Sequence, residues 1–579
     1  MRYHVLATDF DGTLALNGRV DESTLKSLNK FLATGRRLVM VTGRELSELL
    51  AAFPEIDLFE WVVAENGGLL YHPSSKEERL ITDPPSEKLI DALHRQGVQP
   101  VSVGRSIVAT WHPYETVVLE TIRDLGLDLQ VTFNKGAVMV LPAGVTKAFG
   151  LAAALKEMGI SAHNAVGIGD AENDHAFLRT CEFSAAVVNA LPAVKETADL
   201  VTKSDHGAGV TELIELIVAN DLGSFEDRLK RHAFPLGTNN NEEVSLPSYG
   251  SNVLICGPSG SGKSTVARRI IEAITERRYQ FCLIDPEGDY EAIEGAVVLG
   301  SPNGIPQIEE VVHLLEDSEA NAVVCLTGMS IPDRPPFFLK LMSQLLQMRN
   351  RTGHPHWLLL DEAHHLMPAE WLPSAGMIPE QLNNTLLITV QANLLAETLL
   401  EHVNTVIAVG ADAHQTLQSF AIAANAGQPT FEETCLESGE ILLWRRECAS
   451  SPIKVQTYPC KSQQQRHHRK YAEGELPPDR SFYFHGPEGK LNLRAQNLML
   501  FLQLADGLDD ATWEYHLRRG DYERWFLESI KDDALSAKAK RIAERPKTTA
   551  RESRRLIRSA VEENYTLPAS LPLPVPGAS

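Results

Sequence analysis

Two short stretches of this chain have the residue types and spacing to handle phosphate. The first is Asp9-Phe10-Asp11-Gly12-Thr13, which closes the apolar run 3–8. Carboxylates two residues apart share a face where a strand continues, and Gly12 permits the turn that brings a substrate up to the backbone. One such carboxylate can attack phosphorus while the other manages the leaving-group proton. Because carboxylates repel a phosphate, the pair needs a hard dication such as Mg2+ to bind and neutralise both. Further acids for that ion, Asp170 and Asp174, follow another apolar run in Gly167-Ile168-Gly169-Asp170-Ala171-Glu172-Asn173-Asp174. Thr42, in Val41-Thr42-Gly43-Arg44, ends a third run and can donate to a phosphoryl oxygen. Lys147 adds fixed positive charge for a developing phosphorane.

The second stretch is Gly257-Pro258-Ser259-Gly260-Ser261-Gly262-Lys263-Ser264, which satisfies G-x-x-x-x-G-K-[ST] at every position. It lies between the apolar run 252–256 and a helix-like segment that opens at Thr265. Backbone N–H groups of such a loop cradle phosphates, Lys263 reaches the β and γ groups of ATP, and Ser264 holds Mg2+. An apolar run, 357–360, ends in Asp361-Glu362: Asp361 can complete the ion's shell and Glu362 can activate water, which favours hydrolysis over phosphotransfer.

The elements needed to position these residues are legible as alternating apolar strand and helix patterns. Over residues 1–220 the alternation predicts a doubly wound parallel α/β sheet with an inserted α+β cap at 83–142. Residues 221–250 are polar and turn-rich and are expected to form a linker with at most a short strand. A second doubly wound parallel sheet is expected over 251–460, a mainly helical domain over 461–565, and a disordered proline-rich tail over 566–579.

The first motif set resembles the haloacid dehalogenase superfamily of phosphatases, and Glu65-Asn66-Gly67-Gly68 with the placement of the insert resembles its Cof-like branch. The resemblance implies that Asp9 is the nucleophile, forming an aspartyl-phosphate, and Asp11 the general acid/base. Asp170 would bind Mg2+ with Asp9 and the Asp11 backbone carbonyl, Asp174 would support the ion, and Thr42 and Lys147 would hold the phosphoryl group. The substrate would be a phosphorylated small molecule, such as a sugar phosphate or phosphoglycolate, or a nucleic-acid 3′-phosphate. Arg105, His112 and Lys135 of the insert are candidates to read it. The second set, with Asp285-Pro286-Glu287-Gly288-Asp289-Tyr290, Gln391, and Arg445-Arg446, resembles the HerA/FtsK ring ATPases in a RecA-like domain. That resemblance implies Gln391 as a γ-phosphate sensor, Arg445 or Arg446 as a finger to a neighbouring subunit, a homo-oligomer up to a hexameric ring, and action on DNA. The phosphatase stands where HerA has its N-terminal barrel. A polynucleotide kinase–phosphatase is the alternative reading, disfavoured by the water-activating Glu362.

Composition narrows the partners. The 579 residues carry 43% hydrophobic and 22% charged residues, without an apolar run long enough for a bilayer and without a leader-like start, so a cytoplasmic protein is expected. The net charge of −22 excludes a globally basic coat, yet residues 461–558 hold 20 Lys and Arg against 15 Asp and Glu and so reverse the sign. Aromatics interleave with basic groups there, a pattern that suits either base stacking or an aromatic core. The seven cysteines lack C-x-x-C spacing and read as reduced core thiols.

Overall fold

A computed structural model of the chain describes residues 1–134, 136–290, 293–369, 383–430, 436–446, 451–461, 476, 481–487, 489, 491–530, 532–545 and 548–565. Lys135 and the tail 566–579 therefore lie outside the described residues.

The N-terminal sheet is built from strands in the spatial order Leu200–Val201, Phe183–Ala186, Ala165–Gly169, Val5–Thr8, Arg37–Val41 and Trp61–Ala64, all parallel, extended by antiparallel Leu69–His72 and Glu77–Leu80. Val5–Thr8, Trp61–Ala64 and Ala165–Gly169 are buried along their whole length, as strands covered on both faces must be. Helix Lys147–Glu157 packs on strand Trp61–Ala64, and the Thr146 side chain caps it by accepting the Phe149 N–H at 3.2 Å. The cap fixes where the helix starts and thereby sets Lys147 at its first position.

Between Leu80 and Thr146 the chain forms the inserted cap. Its antiparallel sheet runs Ser102–Val103, Val108–Trp111, Ala137–Pro142, Leu129–Asn134. One face packs on helices Glu87–Arg95 and Glu115–Leu125 through Leu89, Leu93, Val118, Ile122, Val138 and Val140. The opposite face carries a separate small apolar group, Ile107, Met139 and Leu141.

Among the described residues the second sheet has eleven strands. Its parallel part runs Thr405–Val409, Asn252–Cys256, Thr385–Thr389, Trp357–Leu360, Phe281–Asp285, Asn321–Cys325, Ala296–Leu299. Four antiparallel strands extend it past Thr405–Val409, in the order Glu440–Arg445, Ile453–Thr457, Phe234–Asn239 and Glu242–Leu246. The last two correct the expectation of a linker over 221–250. Phe234, Leu236, Val244 and Leu246 are buried in the second domain's core, so burial of this apolar set outweighs the polar composition around it.

Residues Met1–Pro459 form one compact unit, in which the two sheets meet base to base. Glu182, just before strand Phe183–Ala186, is fully buried and accepts from Arg2 at 2.6 Å and from the Tyr279 hydroxyl at 2.7 and 2.8 Å. His163 sits 2.7 Å from the same carboxylate and 2.9 Å from the Arg277 carbonyl. Nearby, His356 accepts the Gln280 N–H at 2.9 Å through Nδ1 and donates to Asn164 Oδ1 at 3.0 Å through Nε2. Arg2, His163, Asn164 and Glu182 all precede strands of the first sheet, and Tyr279, Gln280 and His356 precede strands of the second.

The His356 tautomer makes this junction acid-sensitive. Burial holds His356 well below its usual range, so the native state keeps it neutral while the unfolded chain takes up a proton below about pH 6.5. Its contribution is therefore complete above pH 6.5 and declines as the pH falls, by about 1.4 kcal/mol per unit. His356→Gln keeps one acceptor and one donor but does not titrate. The stability gap between wild type and His356→Gln is expected to shift against wild type from pH 7 to 4.5 in denaturant unfolding; a constant gap contradicts the assignment.

The remaining unit, Cys460–Ser579, pairs Phe482–Phe484 with Leu493–Ala495 and surrounds that hairpin with helices Leu498–Gly507, Asp510–Arg518, Asp521–Glu528, Asp533–Ala543 and Ala550–Tyr565. Phe482, Phe484, Trp513, Tyr522 and Trp525 are buried in its core, so its aromatics pack with one another. Among the described residues, Cys181, Cys256, Cys282, Cys325 and Cys460 are buried, and no described helix is long and apolar enough to cross a membrane.

Candidate active sites

The carboxyl ends of the first sheet's central strands bring the first motif set together. Asp9 follows Val5–Thr8, Thr42 follows Arg37–Val41 and Asp170 follows Ala165–Gly169, which is the crevice where parallel sheets bind ligands. Lys147 Nζ lies 2.6 Å from Asp9 Oδ1 and 2.6 Å from Asp174 Oδ1, with both sides of each pair buried. Asp174 Oδ2 accepts the backbone N–H groups of Asp170 and Ala171 at 2.8 and 2.9 Å, which makes it the brace of the loop. Thr13 donates to Asp170 at 3.2 Å.

Carboxylate oxygens of Asp9, Asp170 and Asp174 lie within 4.8 Å of one another. Burial, with Asp174 adding repulsion, pushes Asp9 up to about 8 despite Lys147. Three buried acids against one lysine make a donor set that fits a hard dication, and the all-oxygen chemistry fits Mg2+.

Asp11 is more open, and Arg44 grips it bidentately, with Nε and Nη2 each 2.6 Å from a carboxylate oxygen. Sequence reading left Arg44 without a role, although its position two residues after Thr42 was a usable signal. Asn173, which donates to Asn66 Oδ1 at 3.0 Å, was also missed. Two of the cap candidates are engaged by acids of their own surroundings: Arg105 pairs with Glu78 at 3.3 Å and His112 with Glu115 at 2.9 Å, both largely exposed.

In the second sheet, Gly257 to Gly262 join strand Asn252–Cys256 to helix Lys263–Glu276, so the loop amides and helix start converge. Gly257 has no room for a side chain, since a Cβ would stand 2.2 Å from the Val409 carbonyl oxygen. Gly260 and Gly262 adopt φ of 78° and 104°, conformations that favour glycine. Lys263 Nζ rests on the Pro258 carbonyl at 3.1 Å, and Ser261 Oγ is buried without a protein partner. That orphaned hydroxyl and the lysine folded over its own loop fit a phosphate chain.

Asp361 and Glu362 emerge from Trp357–Leu360, separated from the P-loop strand by Thr385–Thr389. Burial, then Glu362 and Asp285, push Asp361 up to about 8, which fits an ion-binding acid. Glu362 has φ 38°, a left-handed conformation that is strained for a glutamate, and burial raises its pKa. His364 Nδ1 lies 3.4 Å from its carboxylate. Gln391 ends the intervening strand and is exposed. Arg445 lies opposite Thr405, at the other end of the sheet from the P-loop, and donates to the Ser245 carbonyl, while Arg446 donates to the carbonyl of Val403. Both guanidinium groups are thus held by their own chain.

The two sites face away from each other. The domains meet at the amino ends of their strands, whereas both sites lie at the carboxyl ends. At about 3.3 Å per residue, roughly 40 Å of strand path separates Asp9 from Asp285.

Comparison with known proteins gives the same division. Residues 6–109 and 114–214 match the haloacid dehalogenase-like hydrolase family, and residues 247–396 match an AAA domain. A phosphoglycolate phosphatase of Methanothermobacter thermautotrophicus is 33% identical over 218 residues, which are 36% of this chain and 96% of that protein. Phosphoglycolate phosphatase 2 of Saccharolobus solfataricus is 29% identical over 230 residues, 38% of this chain and 96% of its own length. A solved haloacid dehalogenase-like hydrolase from Bacteroides thetaiotaomicron aligns with 37% of this chain and 99% of its own at 21% identity and a TM-score of 0.34.

Proposed function

This chain belongs to the haloacid dehalogenase-like hydrolases through residues 6–214 and carries an AAA ATPase domain behind them, and on that premise we propose a Mg2+-dependent phosphomonoesterase joined to a separately sited ATP hydrolase. The observation that carries the first half is Lys147, locked at 2.6 Å between Asp9 and Asp174 at the mouth of the sheet.

In this reading Asp9 attacks phosphorus, the bond from phosphorus to the leaving oxygen breaks, and Asp11, protonated once Arg44 has released it, supplies the proton that oxygen needs. Asp11 then takes a proton from water as the water attacks the aspartyl-phosphate, releasing phosphate and restoring Asp9. Lys147 and Thr42 hold the phosphoryl oxygens as charge builds on them. Mg2+, held by Asp9, Asp170 and the Asp174-braced loop, would offset the repulsion between phosphate and carboxylates. Arg44 fixes Asp11 at rest and stands ready to meet a second negative charge on the leaving group.

The substrate proposed is a small phosphorylated molecule, with phosphoglycolate first because similar proteins carry that name. In the second domain, Lys263 and the loop amides would hold ATP, Ser264 and Asp361 its Mg2+, and Glu362 the attacking water. The opposed sites speak against end processing in which one chain passes a nucleic-acid end from kinase to phosphatase. A screen of phosphoglycolate, sugar phosphates and 3′-phosphorylated DNA, with Mg2+ or with chelator and with or without ATP, tests this. Fastest turnover of the small esters, lost with chelator, is expected; turnover of DNA ends alone contradicts the reading.

A further inference from the structure

We infer that Glu65 is a positioning residue that latches the cap over the first site and so confines the phosphatase to small phosphomonoesters; this rests on the phosphatase reading above. Glu65 leaves strand Trp61–Ala64 at φ 51°, a left-handed conformation strained for a glutamate, and only 1% of it is exposed. Its N–H donates to the Arg44 carbonyl at 2.9 Å, and the Asn66 N–H to the Thr42 carbonyl at 3.0 Å. The strained residue is thus fastened to the loop that carries Thr42.

From that anchor its carboxylate enters the turn of the cap hairpin between Ser102–Val103 and Val108–Trp111. Oε1 accepts the Arg105 N–H at 3.0 Å, and Oε2 accepts the Ser106 N–H at 2.6 Å and the Ser106 hydroxyl at 2.9 Å. Carboxylate hydrogen bonds to backbone N–H groups are among the stronger kind, and burial protects these from water. The fit leaves no slack: a Cβ at Gly104 would stand 2.7 Å from the Glu65 carboxylate, and one at Gly68 would stand 2.1 Å from Ser106 Oγ. A second contact, from the Ser102 hydroxyl to Glu45, ties the same hairpin to the core.

With the hairpin held down, the cap's inner face becomes the ceiling of the site. Met139 Sδ lies 3.8 Å from where a Cβ on Gly43 would be, directly over the Thr42–Arg44 loop. Around it the ceiling is apolar, formed by Ile107 and Leu141. An apolar cap face this close to the Thr42–Arg44 loop suits a short leaving group better than a long polymer.

The test compares wild type with Glu65→Ala, Glu65→Gln and Gly104→Ala. Turnover of phosphoglycolate and of a serine-phosphorylated peptide is measured, and amide hydrogen exchange is followed at Arg105 and Ser106, whose N–H groups are the latched donors. Glu65→Ala is expected to raise KM for phosphoglycolate about tenfold with kcat within about threefold, to raise kcat/KM for the peptide, and to speed exchange at both amides. Gly104→Ala should do the same from the cap side. Glu65→Gln, which keeps an oxygen for Ser106, should fall between. Equal losses on both substrates overturn size confinement, and unchanged exchange in Glu65→Ala overturns the latch. A wild type inert toward every phosphomonoester overturns the phosphatase reading, and the confinement with it, while the exchange result still decides the latch.

Discussion

Asp9→Asn is expected to lower phosphomonoester turnover by at least about a thousandfold while leaving ATP hydrolysis at its wild-type rate. Asparagine matches aspartate in size, so it fits beside Lys147, and it removes a charge that is held among two other acids. Folding should therefore survive or improve, which separates this result from a simple loss of structure. What disappears is the nucleophile, since a neutral amide oxygen does not attack phosphorus and no neighbouring group replaces it. Asp170 and Asp174 are engaged by Thr13 and by Lys147 with the loop amides. Assays of phosphate release from phosphoglycolate and from ATP on the same preparation check both halves.

Lys263→Ala is expected to have the opposite effect, lowering ATP hydrolysis by about a hundredfold or more and leaving phosphomonoester turnover intact. The lysine's charge is the fixed cation among loop amides, and neither Asp361 nor Glu362 beyond it can supply a positive charge in its place. Roughly 40 Å of strand path between the sites leaves no direct route by which its loss reaches Asp9. An ATPase assay with a parallel phosphatase assay decides the matter; loss of both activities would contradict independent sites.

Much of this was legible in sequence because parallel sheets put their chemistry at strand ends. Asp9, Thr42, Asp170, Gly257 and Asp361 each close an apolar run, and each stands at a sheet's carboxyl edge. The hairpin of Phe234–Asn239 and Glu242–Leu246 looks like a linker in sequence, although its turn, Asn240-Asn241, has both residues at positive φ, the conformation a tight hairpin requires. The polar tract masked the apolar alternation on either side.

Three features were only partly legible in sequence. Arg44 meets Asp11 across more than thirty residues, and the Glu182 junction collects side chains from positions 2 to 356. Such pairings are set by which strand starts lie side by side, so they follow from topology and not from local pattern. The Glu65-Asn66-Gly67-Gly68 segment was visible as a family resemblance without a reason. The structure supplies one: Glu65 holds the cap turn, while Gly67 and Gly68 clear the Thr146 carbonyl and Ser106 Oγ, which a Cβ at either would meet within 2.1 Å.

The most direct test of a phosphatase that works through Asp9 is acid quenching during phosphoglycolate turnover with Mg2+, followed by peptide mass mapping. A phosphoryl adduct on the peptide that contains Asp9, formed without ATP, present in Lys263→Ala and missing from Asp9→Asn, is the predicted result. Turnover with the adduct on another residue, or an adduct that forms only from ATP and requires Lys263, would contradict it.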